Sequence, residues 1–328
     1  MLTCPRSPDR SEICHKTFLQ HPDDFTPRLN IPMTPILATD LDGTLIPVTP
    51  MPPTDNAESE YRANESSGAA TSDSALAERA ALATFRRLSD AGKIEIIFVT
   101  GRHPSSVIGV MRDEGLPSPQ WIICDVGTTI LRRVSDQPYH PIEAYVNHLD
   151  SIIGEFTTAY LRSKIIQHAD LSPQEDEKQG RHKLSYYCEA AKLSEHVARI
   201  DSQIDQLGAP YRTIGSVDPF NGDGLIDLLP RGTDKSSALD WWANQRVAAK
   251  EQIVFAGDSG NDFAALTSGF RAILVGNADR ELAARVVEHH QQHGTPDRIY
   301  IATGRATAGV LEGCIEYGIV SQSASEQS

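Results

Sequence analysis

From Ile36 onward the chain alternates short apolar runs with segments in which apolar residues recur every three or four positions. Ile36-Leu37-Ala38-Thr39, Ile94 to Thr100, Trp121 to Cys124, Ile253 to Ala256 and Ala272 to Val275 have the length and uniform apolarity of buried strands. Between them Leu82, Phe85 and Leu88 fall on one helical face that ends at Gly92, and Pro104 opens a helix reaching about Glu114. Helices Lys235 to Gln245, Asp262 to Ser268 and one from about Arg280 continue the series. Strand and helix in turn predict an α/β fold, a Rossmann-like core with a parallel sheet.

Between Pro138 and Pro230 the rhythm changes to helix Ile142 to Arg162, strand Lys183 to Cys188, helix Leu193 to Leu207 and strand Leu225 to Leu229. This predicts an α/β cap over 138–230, inserted between core segments 34–137 and 231–320. Residues 1–33 are polar and interrupted by proline, which predicts a disordered extension with Met33 as an alternative start codon. Residues 52–74, rich in Ser, Ala, Glu and Asn, read as a flexible polar insert, and 321–328 as a disordered tail. No internal repeat is visible.

Composition narrows the partners. The 328 residues are 40% hydrophobic and 23% charged, ordinary for a globular protein. No apolar run approaches the ~18 residues of a membrane span, and the N-terminal segment lacks the apolar stretch of a signal peptide, so a cytoplasmic protein is expected. A formal charge of −14 disfavours nucleic acid and anionic membranes as partners. Five cysteines without a C-x-x-C pair predict free thiols in a reducing compartment.

The candidate chemistry lies at strand ends, where open α/β sheets hold their ligands. Asp40-Leu41-Asp42-Gly43-Thr44 follows the first strand and offers two carboxylates, one as nucleophile and one as acid/base. An Asp-Gly turn alone would explain Asp42-Gly43; the company of the segment decides otherwise. Thr100 and Gly101, in Phe98-Val99-Thr100-Gly101-Arg102, present a hydroxyl and an open amide to a phosphate. Lys235, at a helix start, adds an ammonium to the helix dipole. Gly257-Asp258-Ser259-Gly260-Asn261-Asp262 supplies hard oxygen donors suited to magnesium.

Taken in order, D-x-D-G-T, a strand-end Thr, a Lys and G-D-x-x-x-D resemble the four motifs of the haloacid dehalogenase superfamily, over about Ile36 to Ile315. The resemblance implies that Asp40 attacks phosphorus while Asp42 serves as acid and base. Thr100, Gly101 and Lys235 would hold the phosphoryl oxygens. Asp40, Asp42 through its backbone carbonyl, and Asp258 would hold Mg2+, supported by Asp262, Asn261 and Ser259. The paired aspartates argue against carbon-halogen cleavage.

An insert between the Thr and Lys motifs matches the larger α/β cap of that superfamily. Lys183-Leu184-Ser185-Tyr186-Tyr187, Asp227-Leu228-Leu229-Pro230 and the Asp258 segment further resemble the sucrose-phosphate phosphatase group. That resemblance implies hydrolysis of sucrose 6-phosphate, with Lys183 on sugar hydroxyls; a monomer or weak oligomer is expected. Gly224-Leu225-Ile226 departs from the polar residues expected there, and Asp223 is the candidate replacement. The alternatives are another glycosyl phosphate such as mannosylfructose phosphate, a phosphomutase, or a sugar-phosphate binding protein without turnover. Glu288 to His293 reads as a solvated helix end rather than a metal site.

Overall fold

Strand β1, Ile36–Thr39, shows why this sequence builds a layered sheet: each of its residues is buried, and successive side chains enter opposite faces. Ile36 and Ala38 join one apolar cluster and Leu37 the other. The same alternation holds in β2, Glu95–Val99, and β3, Trp121–Cys124. The computed structural model describes residues 34–48, 72–165, 170–218, 221–246 and 248–322. The expected N-terminal extension, most of the polar insert and most of the C-terminal tail lie outside the described residues. Positions 72–74 of the expected insert belong to helix α1, Ser72–Asp90.

Helix α2, Pro104–Asp113, links β2 to β3, after which β4, Thr129–Arg132, and the short β5, His140–Pro141, turn back antiparallel. Helices α3, Glu143–Ile153, and α4, Thr158–Lys164, replace the single helix expected over 142–162. Gly154, at φ 55°, ends the first, and the Thr157 side chain accepts from Tyr160 N–H to start the second. The smaller layer follows: β6, Ser172–Pro173; β7, Leu184–Cys188; α5, Leu193–Leu207; β8, Tyr211–Val217; and β9, Gly224–Pro230.

The chain then returns to the large sheet through α6, Lys235–Gln245; β10, Ile253–Gly257; α7, Phe263–Leu266; β11, Arg271–Leu274; α8, Arg280–Gln292; β12, Ile299–Ile301; and α9, Ala306–Glu316. Among the described residues the large sheet has the order β12-β11-β10-β1-β2-β3-β4-β5, parallel from β12 to β3. The small sheet, β6-β7-β9-β8, is antiparallel. Helices α6 and α8 cover one face of the large sheet through Leu239, Trp242, Leu282 and Val286. Phe85 of α1, Met111 of α2 and Val310 of α9 cover the other.

Packing divides the two layers within α3 rather than at residue 138, where the cap was expected to begin. His140–Pro141 pairs with the large sheet, and Tyr145 and Leu149 join its core, whereas Ile153 joins the core of the small layer. The expected solvated end at 288–293 also needs correction. His290 is buried, with Nε2 2.9 Å from Leu266 O and Nδ1 3.0 Å from the Thr295 hydroxyl.

Candidate active site

Three neighbouring parallel strands, β10, β1 and β2, end at the same edge of the sheet and deliver Asp258, Asp40 and Thr100 together. Asp40 follows Thr39 directly, and its N–H donates to Ala256 O at 2.9 Å, so the strand ladder fixes its backbone. Its side chain is almost entirely buried. Oδ2 lies 2.9 Å from Lys235 Nζ, whereas Oδ1 is buried without a hydrogen-bond partner.

Lys235 is the first residue of α6, whose N-cap Asp234 accepts from Ser237 N–H at 2.8 Å. From there its fully buried ammonium reaches Asp40, Asp262 Oδ1 at 2.8 Å and Asn261 Oδ1 at 2.9 Å. Burial by itself would lower the Lys235 pKa; the Asp262 and Asp40 carboxylates overcome this and raise it. For Asp40 burial dominates and pushes the carboxyl well above its usual range, against the pull of Lys235, with Asp262 and Asp258 adding to the rise.

Asp262 is a positioning group. Its Oδ2 accepts from the N–H groups of Asp258 and Ser259, both at 3.1 Å, and from the Ser259 hydroxyl at 3.2 Å. Asp258 is thereby held beside Gly43 and receives the Thr44 hydroxyl at 2.8 Å on Oδ1. A Cβ on Gly43, whose φ is 77°, would sit 2.1 Å from Asp258 Oδ2, so only glycine lets this carboxylate approach. Burial first, and Asp262 next, raise the Asp258 pKa to about 7.

One carboxylate oxygen each from Asp40, Asp258 and Asp262 lies within 4.8 Å of the others. The oxygens of Asp262 are already occupied by the donors named above. Asp40 Oδ1 is unpartnered and Asp258 is short of neutralising charge, so these two offer hard donors that fit a small divalent cation.

Asp42 is held differently. Arg102 grips it with both prongs, Nε to Oδ2 and Nη2 to Oδ1, each at 2.7 Å, and rests its third nitrogen on the Ser106 hydroxyl. The motif around Thr100 therefore supplies the partner of the second aspartate, a role that sequence reading did not give to Arg102. Thr100 is buried, and its hydroxyl accepts from Arg102 N–H at 3.2 Å.

Asp40, Asp42, Thr100, Gly101, Asp258, Ser259 and Asn261 all line one cleft of about 770 Å3, roofed by the small layer. From that layer come Gln174, Lys178, Lys183 and Asp227, beside an apolar stretch made by Ile214, Val217 and Leu225. Lys183 is buried and lies 2.9 Å from Asp125 Oδ1. Asp223 does not reach the cleft: it is exposed and closed on itself in a turn with Asn221, whose Nδ2 donates to it at 2.8 Å. Asp125 was not legible beforehand because nothing in its sequence neighbourhood marks its contact with a lysine 58 residues away.

Comparison with known proteins gives concordant results. The family model described as sucrose-6F-phosphate phosphohydrolase matches residues 33–318. A HAD-like hydrolase of Nitrosococcus oceani is 34% identical over 245 residues, 71% of this chain and 64% of that protein. The chain thus spans just under two thirds of that relative. The mannosylfructose-phosphate phosphatase of Agrobacterium fabrum is 28% identical over 68% of this chain and 83% of its own length. Among solved structures, the sucrose-phosphatase of Synechocystis sp. PCC6803, in complex with sucrose and phosphate, superposes with a TM-score of 0.61 over 87% of this chain and 98% of that one. At 20% identity this likeness concerns the fold. Among the described residues no helix is long and apolar enough to cross a membrane.

Proposed function

The chain belongs to the sucrose-6F-phosphate phosphohydrolase family of haloacid dehalogenase-like phosphoric monoester hydrolases, and on that premise we propose that it hydrolyses a glycosyl phosphate, sucrose 6-phosphate foremost, through a phosphoryl group carried on Asp40. The observation that carries the reading is the asymmetry of Asp40. Lys235 holds one carboxylate oxygen, and the other is buried and unpartnered at the cleft.

In this mechanism one carboxylate oxygen of Asp40 attacks phosphorus and the ester oxygen leaves, while the other carboxylate oxygen stays free for the cation. Asp42, protonated on an oxygen that one prong of Arg102 releases, gives the leaving ester oxygen its proton, then as a carboxylate takes one from the water that hydrolyses the acyl phosphate. Arg102 orients Asp42, and Thr100 with the Gly101 amide receives phosphoryl oxygens. Lys235 keeps a positive charge behind Asp40 throughout. Asp40 and Asp258, with the Asp42 carbonyl, would hold Mg2+, which when bound adds positive charge at the transferring group.

Ile214, Val217 and Leu225 give the roof an apolar stretch, which favours as second reading a different non-phosphorylated sugar, of the mannosylfructose phosphate kind. A substrate panel tests both: phosphate release from sucrose 6-phosphate, mannosylfructose phosphate and glucose 6-phosphate, with Mg2+ and with a chelator. Preference for the two disaccharide phosphates supports the reading. Preference for glucose 6-phosphate, or conversion to an isomeric phosphate, contradicts it.

A further inference from the structure

The two layers are joined at the cleft by an ion pair that the proposed chemistry does not use. Lys183 enters from the small layer, at the end of a turn closed by Gly180 N–H donating to Lys183 O at 2.9 Å, and meets Asp125 of the large layer at 2.9 Å. Both side chains are buried, 5% and 7% exposed. The two residues before Lys183 grip the helix that passes between the layers. Arg181 reaches both oxygens of Asp150 in α3, at 3.0 and 2.7 Å, and His182 Nε2 lies 2.8 Å from Asp150 Oδ1.

Asp125 belongs to an unusual turn. Asp125, Val126 and Gly127 have φ of 51°, 58° and 96°, and the β-branched Val126 is a residue that the left-handed region strongly disfavours. Such a turn persists only when its surroundings hold it, and here they are the segment Thr100 to Arg102 and the start of α6. Asp125 N–H donates to Arg102 O at 2.8 Å, and Val126 N–H to Thr100 O at 3.3 Å. A Cβ on Gly127 would meet Asp234 O at 2.3 Å and Lys235 N at 2.9 Å, so the turn is pressed against the start of α6. Tyr145 closes the far side by donating to Gly127 O at 2.6 Å.

The turn therefore touches both the Thr100 segment that is to hold phosphate and the start of α6 that carries Lys235, and a residue of the roof pins it. Lys183 also interacts electrostatically with Asp227, which faces the cleft. We infer that Asp125 and Lys183 form a latch between roof and sheet, with Asp125 as a positioning residue, so that seating of the sugar under the roof sets this turn against Thr100 and the start of α6 for the bound ester. In this role Lys183 acts through Asp125 rather than by contact with the sugar alone.

The inference rests on the phosphatase reading for its substrates but not for its geometry, and the test separates the two. Asp125→Asn, Lys183→Met and the double variant are made in the full chain and compared on sucrose 6-phosphate and on p-nitrophenyl phosphate, whose leaving group carries no sugar. With Asp125→Asn, kcat/KM for the sugar ester falls about a hundredfold while p-nitrophenyl phosphate turnover falls no more than about threefold, and the double variant is no worse than Lys183→Met. Full activity of Asp125→Asn on the sugar ester overturns the latch and leaves Lys183 as a direct sugar contact. Parallel loss on both substrates also overturns it. A wild-type chain that hydrolyses neither ester strikes the phosphatase reading, and the latch is then decided by small-angle scattering: Asp125→Asn widens the radius of gyration if the latch exists, and identical curves overturn it.

Discussion

Asp42 and Arg102 form a two-pronged ion pair, each carboxylate oxygen receiving one guanidinium nitrogen at 2.7 Å. Such a fork fixes the plane of the carboxylate as well as its place, which a lysine cannot do. Arg102→Ala should lower kcat by about 10- to 100-fold with a smaller change in KM, and Arg102→Lys should recover little. Steady-state kinetics on one phosphate ester decides this; full rescue by lysine would reduce Arg102 to a point charge.

Lys235 is buried against the carboxylates of Asp40 and Asp262 and the amide oxygen of Asn261. Lys235→Met would leave Asp40 and Asp262 buried without their counter-charge, a loss of about 3–5 kcal/mol in stability, measurable by denaturant unfolding. Adding Asp262→Asn to that variant should restore part of the loss, because a neutral amide costs less to bury.

The elevated pKa of Asp258, about 7, links cation binding to pH. A cation needs the carboxylate ionised, so its apparent affinity should rise with pH between about pH 6 and 8 and then level off, as titration calorimetry can follow. The stability sign is fixed by the same shift. The folded state holds this proton more tightly than the unfolded chain, so the cation-free protein is favoured at low pH and loses that advantage as pH rises from 3.8 through about 7. Mg2+ should accordingly raise Tm more at about pH 8 than at about pH 6.

Gly43 is the position where a single methyl should damage the cation site without touching a charge. With φ at 77° and Asp258 Oδ2 only 2.1 Å from the missing Cβ, Gly43→Ala is expected to cost about 1–3 kcal/mol in stability and to weaken cation binding. An unchanged dissociation constant would show that Asp258 can retreat and still bind.

The strand-end motifs were readable because an apolar run followed at once by Asp, Thr or Gly-Asp is a local signal, and a parallel sheet assembles such ends along one edge. β1, β10 and the segment around Asp258 thus matched expectation nearly to the residue. Elements set by tertiary contacts were not readable. β8 escaped because Gly215 interrupts its pattern, and that glycine is required by Val197 and Leu193, against which a Cβ would press at 2.9 and 3.2 Å. Arg102 stood inside a quoted motif, yet its partner is 60 residues away. Asp223 was chosen for nearness in sequence to Leu225, and the turn at Asn221 carries it out of the cleft.

The central claim is that Asp40 carries the phosphoryl group, and acid-quench trapping with a phosphate ester radiolabelled on phosphorus addresses it directly. The account predicts label on the peptide containing Asp40, formed within the first turnover, discharged on dilution into cold substrate, and absent from Asp40→Asn together with phosphate release. Phosphate released at the wild-type rate by Asp40→Asn, or turnover by the wild type with no label on that peptide, would contradict it.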